Sequence, residues 1–160
     1  MTSDDFTVRA TAMTGTLYRV SCTLLDREAD REDAVQEAIC RAWERRNSLK
    51  NPRYFQTWLI RILINACYDV LRDRKRVVYM DELPEQPAPE ESREQSMDLA
   101  RAVASLERNL RLPVILYYAE GFSVEEIAGM LGLSRSAAKM RLHRARALLR
   151  QRLLEEDENL

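Results

Sequence analysis

The sequence predicts an all-α protein: two small helical domains joined by an extended acidic linker. Three observations lead there. No run of alternating apolar and polar residues is long enough for a strand, and only four glycines and five prolines punctuate the 160 residues. Apolar residues instead recur at helical spacing, in separate blocks. Residues 77–98 hold three of the five prolines and lose apolar periodicity after Leu83, as an extended linker does. The chain therefore divides into 1–76, 77–98 and 99–160, and each outer part is near the lower size limit for a self-sufficient domain.

In the N-terminal part, Leu17, Val20 and Leu24 mark the inner face of a first helix. A second starts near Asp30, where Asp30 and Asp33 complement the positive end of the helix dipole. Its apolar stripe runs through Ala34, Val35, Ala38, Ile39, Ala42 and Trp43, and its other face carries Asp33, Gln36, Glu37 and Arg41. A loop at 47–52 leads into a long third helix, 53–74, buried through Phe55, Trp58, Leu59, Ile62, Leu63 and Ala66. Arg61, Asn65, Tyr68 and Arg72, spaced by four, three and four, line its exposed face, which ends in the basic run Arg72, Arg74, Lys75, Arg76.

The C-terminal part opens with helices expected at 97–108 and 110–119, with Pro113 tolerated in a first turn. Gly121 then breaks the chain. Ser123 and Glu126 have the spacing of a capping box, and the short helix 124–131 turns Ile127, Ala128 and Leu131 inward. Gly132 supplies a turn with positive φ, and Ser134 caps the last helix. Two helices meeting at such a turn, the second strongly basic, form a helix-turn-helix.

Ala138, Leu142, Ala145 and Leu149 make the core stripe of that last helix. Arg135, Ser136, Lys139, Met140, His143 and Arg144 lie on the other side, near the end that meets base edges in such motifs. Arginine and lysine donate to guanine O6 and N7, and a good bidentate pair discriminates by about 1–3 kcal/mol. Arg141, Arg146 and Arg150 are placed to neutralise phosphates. The plainer alternative is a solvated basic helix in a bundle. It sits poorly with seven bases and no acid over 135–152, because like charges one turn apart repel.

The net charge of −1 conceals strong segregation: −4 over 1–40, +7 over 41–76, −6 over 77–100 and +7 over 135–152. Two basic blocks separated by an acidic one imply two polyanion-binding surfaces. The start of the chain is acidic and lacks a signal peptide's apolar core, and no apolar run approaches the roughly 20 residues that span a bilayer. A cytoplasmic protein is expected, with no membrane insertion. Cys22, Cys40 and Cys67 sit among apolar neighbours and read as buried free thiols. One histidine, no Cys-x-x-Cys pair, no phosphate loop and no nucleophile elbow leave no catalytic constellation, metal site, cofactor or small-molecule substrate to expect.

The stretch GFSVEEIAGMLGLSRSAAKMRLHRARALLR resembles the region 4 helix-turn-helix of sigma-70 family RNA polymerase sigma factors, especially the extracytoplasmic-function group. DREDAVQEAICRAW is similar to their region 2.1–2.2, and FQTWLIRILINACYDVLRDRKR to their region 2.3–2.4. The resemblance spans about 17–76 and 100–153. It implies a transcription initiation factor whose partners are core RNA polymerase, through its β′ and β subunits, and promoter DNA. Asp33, Gln36 and Glu37 fall where the family meets the β′ coiled coil. Lys50, Asn51, Arg53, Tyr54 and Asn65 fall where it captures an unstacked base of the −10 element; Arg61, Tyr68 and Arg72 would follow the strand or the adjacent duplex. Arg135, Ser136, Lys139, Met140, Arg141, His143 and Arg144 belong to the −35 surface. The family's linker threads the RNA-exit path, and an anti-sigma partner commonly holds such factors inactive, in some cases at the membrane. Tyr117 stands where many members carry Arg, Ala137 replaces a common Thr, and Met140 makes no bidentate base contact; the resemblance holds, but these residues do not fix the promoter sequence. A conventional repressor or activator with the same helix-turn-helix is the main alternative. It predicts dimers on palindromic sites and leaves the polar second helix and basic third helix unexplained.

Overall fold

Residue by residue, a computed structural model describes 1–78 and 95–158; most of the expected linker lies outside the described residues. Every regular element among them is helical. The first, α1 (Ser3–Ala12), precedes everything the apolar pattern indicates. The Thr2 side chain accepts from the Asp5 amide at 3.2 Å, and Asp4 and Asp5 sit at the positive end of the dipole. Only Phe6 and Ala10 are buried on α1, a stripe too short to stand out in the sequence.

Helices α2 (Thr14–Leu24), α3 (Glu28–Glu44) and α4 (Phe55–Val78) form the N-terminal bundle. Two 3₁₀ turns, Arg46–Ser48 and Pro52–Tyr54, connect α3 to α4. Leu17, Val20 and Leu24 of α2 are buried as their spacing requires. The expected stripe of α4 is inside as well, except that Trp58 is only half-buried. Ile60, Ile64 and Cys67, off that stripe, are equally buried, so α4 is covered on two sides.

The C-terminal half supplies the second cover. Helix α5 (Gln95–Ala104) stops short of the break at 105–107, where the sequence suggests one helix continuing to 108. Ser105 Oγ donates to the Ala102 carbonyl, Leu106 is buried, and the Arg111 guanidinium reaches the Ala104 carbonyl at 3.0 Å, so side chains satisfy the helix end. Helix α6 (Arg108–Val114) carries Pro113 in its interior, beyond the expected first turn. A π-helical turn, Ile115–Ala119, follows directly and widens the helix after the residue that lacks an amide donor. Then come α7 (Val124–Leu131) and the long α8 (Arg135–Glu158).

Leu106, Leu110, Val114, Leu142 and Ala145 make a small core that belongs to the C-terminal half alone. Leu112, Leu116, Phe122, Ile127 and Met130 instead join the N-terminal core in one continuous apolar cluster. Helix α7 faces α4: a Cβ at Gly129 would lie 3.5 Å from the Thr57 methyl, and one at Gly132 3.6 Å from an Arg61 nitrogen. Met130, rather than Leu131, is the fully buried residue at this end of α7.

Two polar clamps flank the apolar contact. Arg19 forks onto Glu120 at 2.7 and 3.1 Å. Arg111 donates twice to the Thr23 carbonyl, at 3.1 and 2.7 Å, at the negative end of α2. Burial, and then the like charge of Arg108, lowers the proton affinity of Arg111; an arginine keeps its charge there regardless. No described helix is long and apolar enough to cross a membrane.

Candidate nucleic-acid interface

The helix-turn-helix is locally over-determined. Ser123 and Glu126 exchange both capping-box hydrogen bonds at 3.1 Å. Gly132 ends α7 at φ +65°, in the left-handed region where a side chain is strained. Ser134 Oγ accepts from the Ala137 amide at 3.1 Å and starts α8. Ala138, Leu142 and Ala145 are buried. That aims Arg135, Ser136, Lys139, Met140, His143 and Arg144 at solvent, while Arg141 is half-buried.

Three of the α8 arginines are engaged, Arg152 donating to Ser105 Oγ at 2.6 Å. Arg135 pairs with Glu125 of α7 at 3.2 Å, a solvent-exposed ion pair that a phosphate can displace. Arg146 donates to the Tyr118 hydroxyl and lies 5.7 and 5.5 Å from the Tyr117 and Tyr118 ring centres. It ties α8 to the π-helical turn, with cation–π contacts to both rings, and remains exposed on the phosphate-facing side where the sequence expects it.

On the N-terminal half, the residues expected to meet DNA do not share one pocket. Asn65, Tyr68 and Arg72 line a groove of about 710 Å³ between α3 and α4. Lys75, from the basic run that ends this face, lines it too, with Arg41, Arg45 and Arg108, three cations that the sequence leaves unassigned there. Arg41 in the last turn of α3 and Arg45 just past its end are four residues apart, a spacing that would have flagged them. Asp69 holds the groove's wall together, pairing with Arg41 at 3.0 Å and with Arg72.

The connecting loop faces elsewhere. Lys50, Asn51, Arg53 and Tyr54 are all exposed, and Asn51 spends its side-chain oxygen on the Arg53 amide at 3.0 Å, fixing the second 3₁₀ turn. Pro52 and Arg53 border a second cleft of about 510 Å³, with Arg9 of α1 and Phe122 of the C-terminal half. Arg61 is exposed beside the Gly132 turn. Arg46 stacks 3.8 Å over Trp43 and donates to its carbonyl at 2.8 Å.

Asp33, Gln36 and Glu37 are exposed together on α3. Glu37 accepts from Arg41 Nε at 2.9 Å, so this acidic face adjoins the basic groove through one arginine. Of the cysteines, only Cys67 is buried, and desolvation pushes its thiol up to about 12. Cys22 is half-buried and Cys40 is exposed, which corrects the expectation of three buried thiols. The apolar residues beside Cys40 in sequence point to the other side of α3.

The model of the Sigma-70 region 2 family matches residues 11–77, and that of Sigma-70, region 4 matches residues 96–149. The chain belongs to the sigma-70 family of RNA polymerase sigma factors. This sigma factor is 30% identical to the RNA polymerase sigma factor SigV of Bacillus subtilis, over 88% of its own length and 86% of the relative's. It is 35% identical to the ECF RNA polymerase sigma factor SigE of Mycolicibacterium smegmatis, covering 86% of itself and 57% of that longer protein. In structure it is similar to the sigma factor RpoE from Bartonella quintana, solved in complex with the anti-sigma factor NepR. The TM-score is 0.79 at 27% identity, over 93% of this chain and 96% of that one. The fold class and the extracytoplasmic-function grouping expected from the sequence are confirmed, and the function is promoter-directed initiation of transcription.

Proposed function

We propose that the sigma factor divides this task along its chain. Residues 1–76 bind core polymerase and engage and melt the −10 element, 77–98 link, and 99–160 read the −35 element. The observation that carries this reading is the pairing of two separate basic surfaces, on α8 and in the α3–α4 groove, with an exposed acidic face on α3 that adjoins the groove through Arg41. Lys139, His143 and Arg144 reach base edges in the major groove, while Arg135 and Arg141 meet phosphates. Asn65, Tyr68 and Arg72, with the loop residues Lys50, Asn51, Arg53 and Tyr54, hold the unpaired strand; Tyr54, 57% exposed, is the stacking platform. Arg61 follows the strand or duplex once the Gly132 turn has moved away.

Asp33, Gln36 and Glu37 dock on the β′ subunit. The chain contributes no catalytic group of its own, works in the cytoplasm and is held inactive by an anti-sigma partner, as its structural neighbour is captured with one. Run-off transcription with core polymerase, on a promoter selected from the host genome, should depend on this protein. Lys139→Ala or Arg144→Ala should weaken −35 duplex binding by roughly five- to hundredfold, corresponding to about 1–3 kcal/mol. Asp33→Arg with Glu37→Arg should abolish holoenzyme formation. Holoenzyme formation unchanged by those reversals would reject the docking assignment.

A further inference from the structure

We infer that α1 is a positioning element for the 49–54 loop, and that Arg9 and Phe6 set how selectively that loop captures an unpaired base. The inference rests on the proposed reading of this loop as a base-capturing one. The loop has two stems, Trp43 near the end of α3 and Phe55 at the first position of α4. Phe6 packs edge-on against both rings, with centroids 5.3 Å from Trp43 and 5.9 Å from Phe55. One α1 side chain, 4% exposed, therefore sets the distance between the two stems.

Arg9, one helical turn further along, reaches the loop itself. Its Nη1 donates to the Pro52 carbonyl at 3.4 Å, inside the second 3₁₀ turn, and its guanidinium lies 6.0 Å from the Phe55 ring centre. Asp5, one turn back, orients it through Nε at 3.0 Å. These contacts fall on the protein side of the loop and leave Lys50, Asn51 and Tyr54 facing solvent. The loop's own bonds are short-range: Asn51 to Arg53, and Ser48 to Arg45. Its placement on the bundle is thus supplied largely by α1 and by the half-buried Leu49.

Base discrimination by exposed loop groups needs their placement within about 0.5 Å. Loosening the support should therefore erode selectivity while leaving gross affinity for the duplex intact. Arg9 and Phe6 act through the loop rather than on the base, so they are positioning residues.

The test uses full-length protein assembled with core polymerase, and a single-stranded oligonucleotide carrying a −10 element selected by wild-type holoenzyme. Fluorescence anisotropy compares that oligonucleotide with versions substituted at each position. Arg9→Ala and Phe6→Leu should each reduce the preference at the captured position three- to tenfold. Arg9→Lys, which retains a donor for the Pro52 carbonyl, should restore most of it. Holoenzyme formation and binding to −35 duplex should not change. Full discrimination in Arg9→Ala and Phe6→Leu, or an equal loss at every position and on −35 duplex, overturns the inference. Tyr54→Ala and Asn65→Ala run alongside. If they erode discrimination and the α1 variants do not, only the positioning role is rejected; if they too are silent, the loop is not the capture element and both readings fall.

Discussion

Cys67 and Cys40 show how far a residue's surroundings override its type. Cys67 lies inside the bundle with its thiol held neutral by desolvation, whereas Cys40 faces water. Mild alkylation of the native protein at pH 8 should label Cys40 and spare Cys67 until denaturant is added; equal labelling would contradict the burial of α4. The sign of the pH effect follows from the raised value. Between the unfolded thiol's pKa, near 9, and about 12, the folded state binds the extra proton, so this group's contribution to stability is lost as pH rises through that window. Residue by residue, the sequence was a good guide on α8, where one buried stripe opposes one basic face. It was a poorer guide to Arg146, whose partner Tyr118 lies 28 positions away, and to Arg108, which reaches the α3–α4 groove only through tertiary packing.

At the scale of elements, the turn of the helix-turn-helix gives a sharp contrast between two glycines. Gly132 sits at φ +65°, so Gly132→Ala should destabilise by about 1–2 kcal/mol through backbone strain. Gly129, three residues earlier within α7, has room for a methyl in ordinary contact with Thr57, and Gly129→Ala should be neutral or stabilising by up to about 1 kcal/mol. Urea denaturation of the two variants checks both. Elements with strong punctuation were legible: the capping box, the αL glycine and the Ser134 cap all stand where their residues put them. Helix α1 was not, because Phe6 and Ala10 are its only buried residues and the ring contacts that hold it lie on α3 and α4. The break at 105–107 was missed for a similar reason, since Arg111 closes it from the next helix.

For the whole molecule, the two halves share a core, and the promoter elements they are proposed to read are far apart. Elements centred near −35 and −10 are separated by about 25 base pairs, or roughly 85 Å of duplex at 3.4 Å per pair. A compact chain of this length has a radius of gyration of only about 15 Å. The packing of α7 on α4 must therefore open before both surfaces engage one promoter. Fluorophores on α2 and α8 should report high energy transfer in the free protein and a large fall in the promoter-bound holoenzyme; transfer that stays high would refute the opening. Met130→Ala, which hollows the shared cluster, should cost the free protein about 2–5 kcal/mol and shift its population toward the open form. Arg19→Ala should also favour opening, because it leaves the Glu120 carboxylate, only 7% exposed, without its bidentate partner.

The sequence by itself determined most of the helices after α1, the helix-turn-helix and the segregation of charge, because caps, turn glycines and apolar periodicity act over a few residues. It also carried enough of regions 2 and 4 to place the chain in its family. Only the tertiary structure decided that Ile60, Ile64 and Met130 are core, that Phe6 of α1 packs on both stems of the loop, and that of the residues expected at the −10 element only Asn65, Tyr68 and Arg72 share the α3–α4 groove. Those outcomes depend on which helix covers which face. The sequence of α4 is the same whether its second face, with Ile60, Ile64 and Cys67, meets solvent or another helix, so spacing alone does not name the cover.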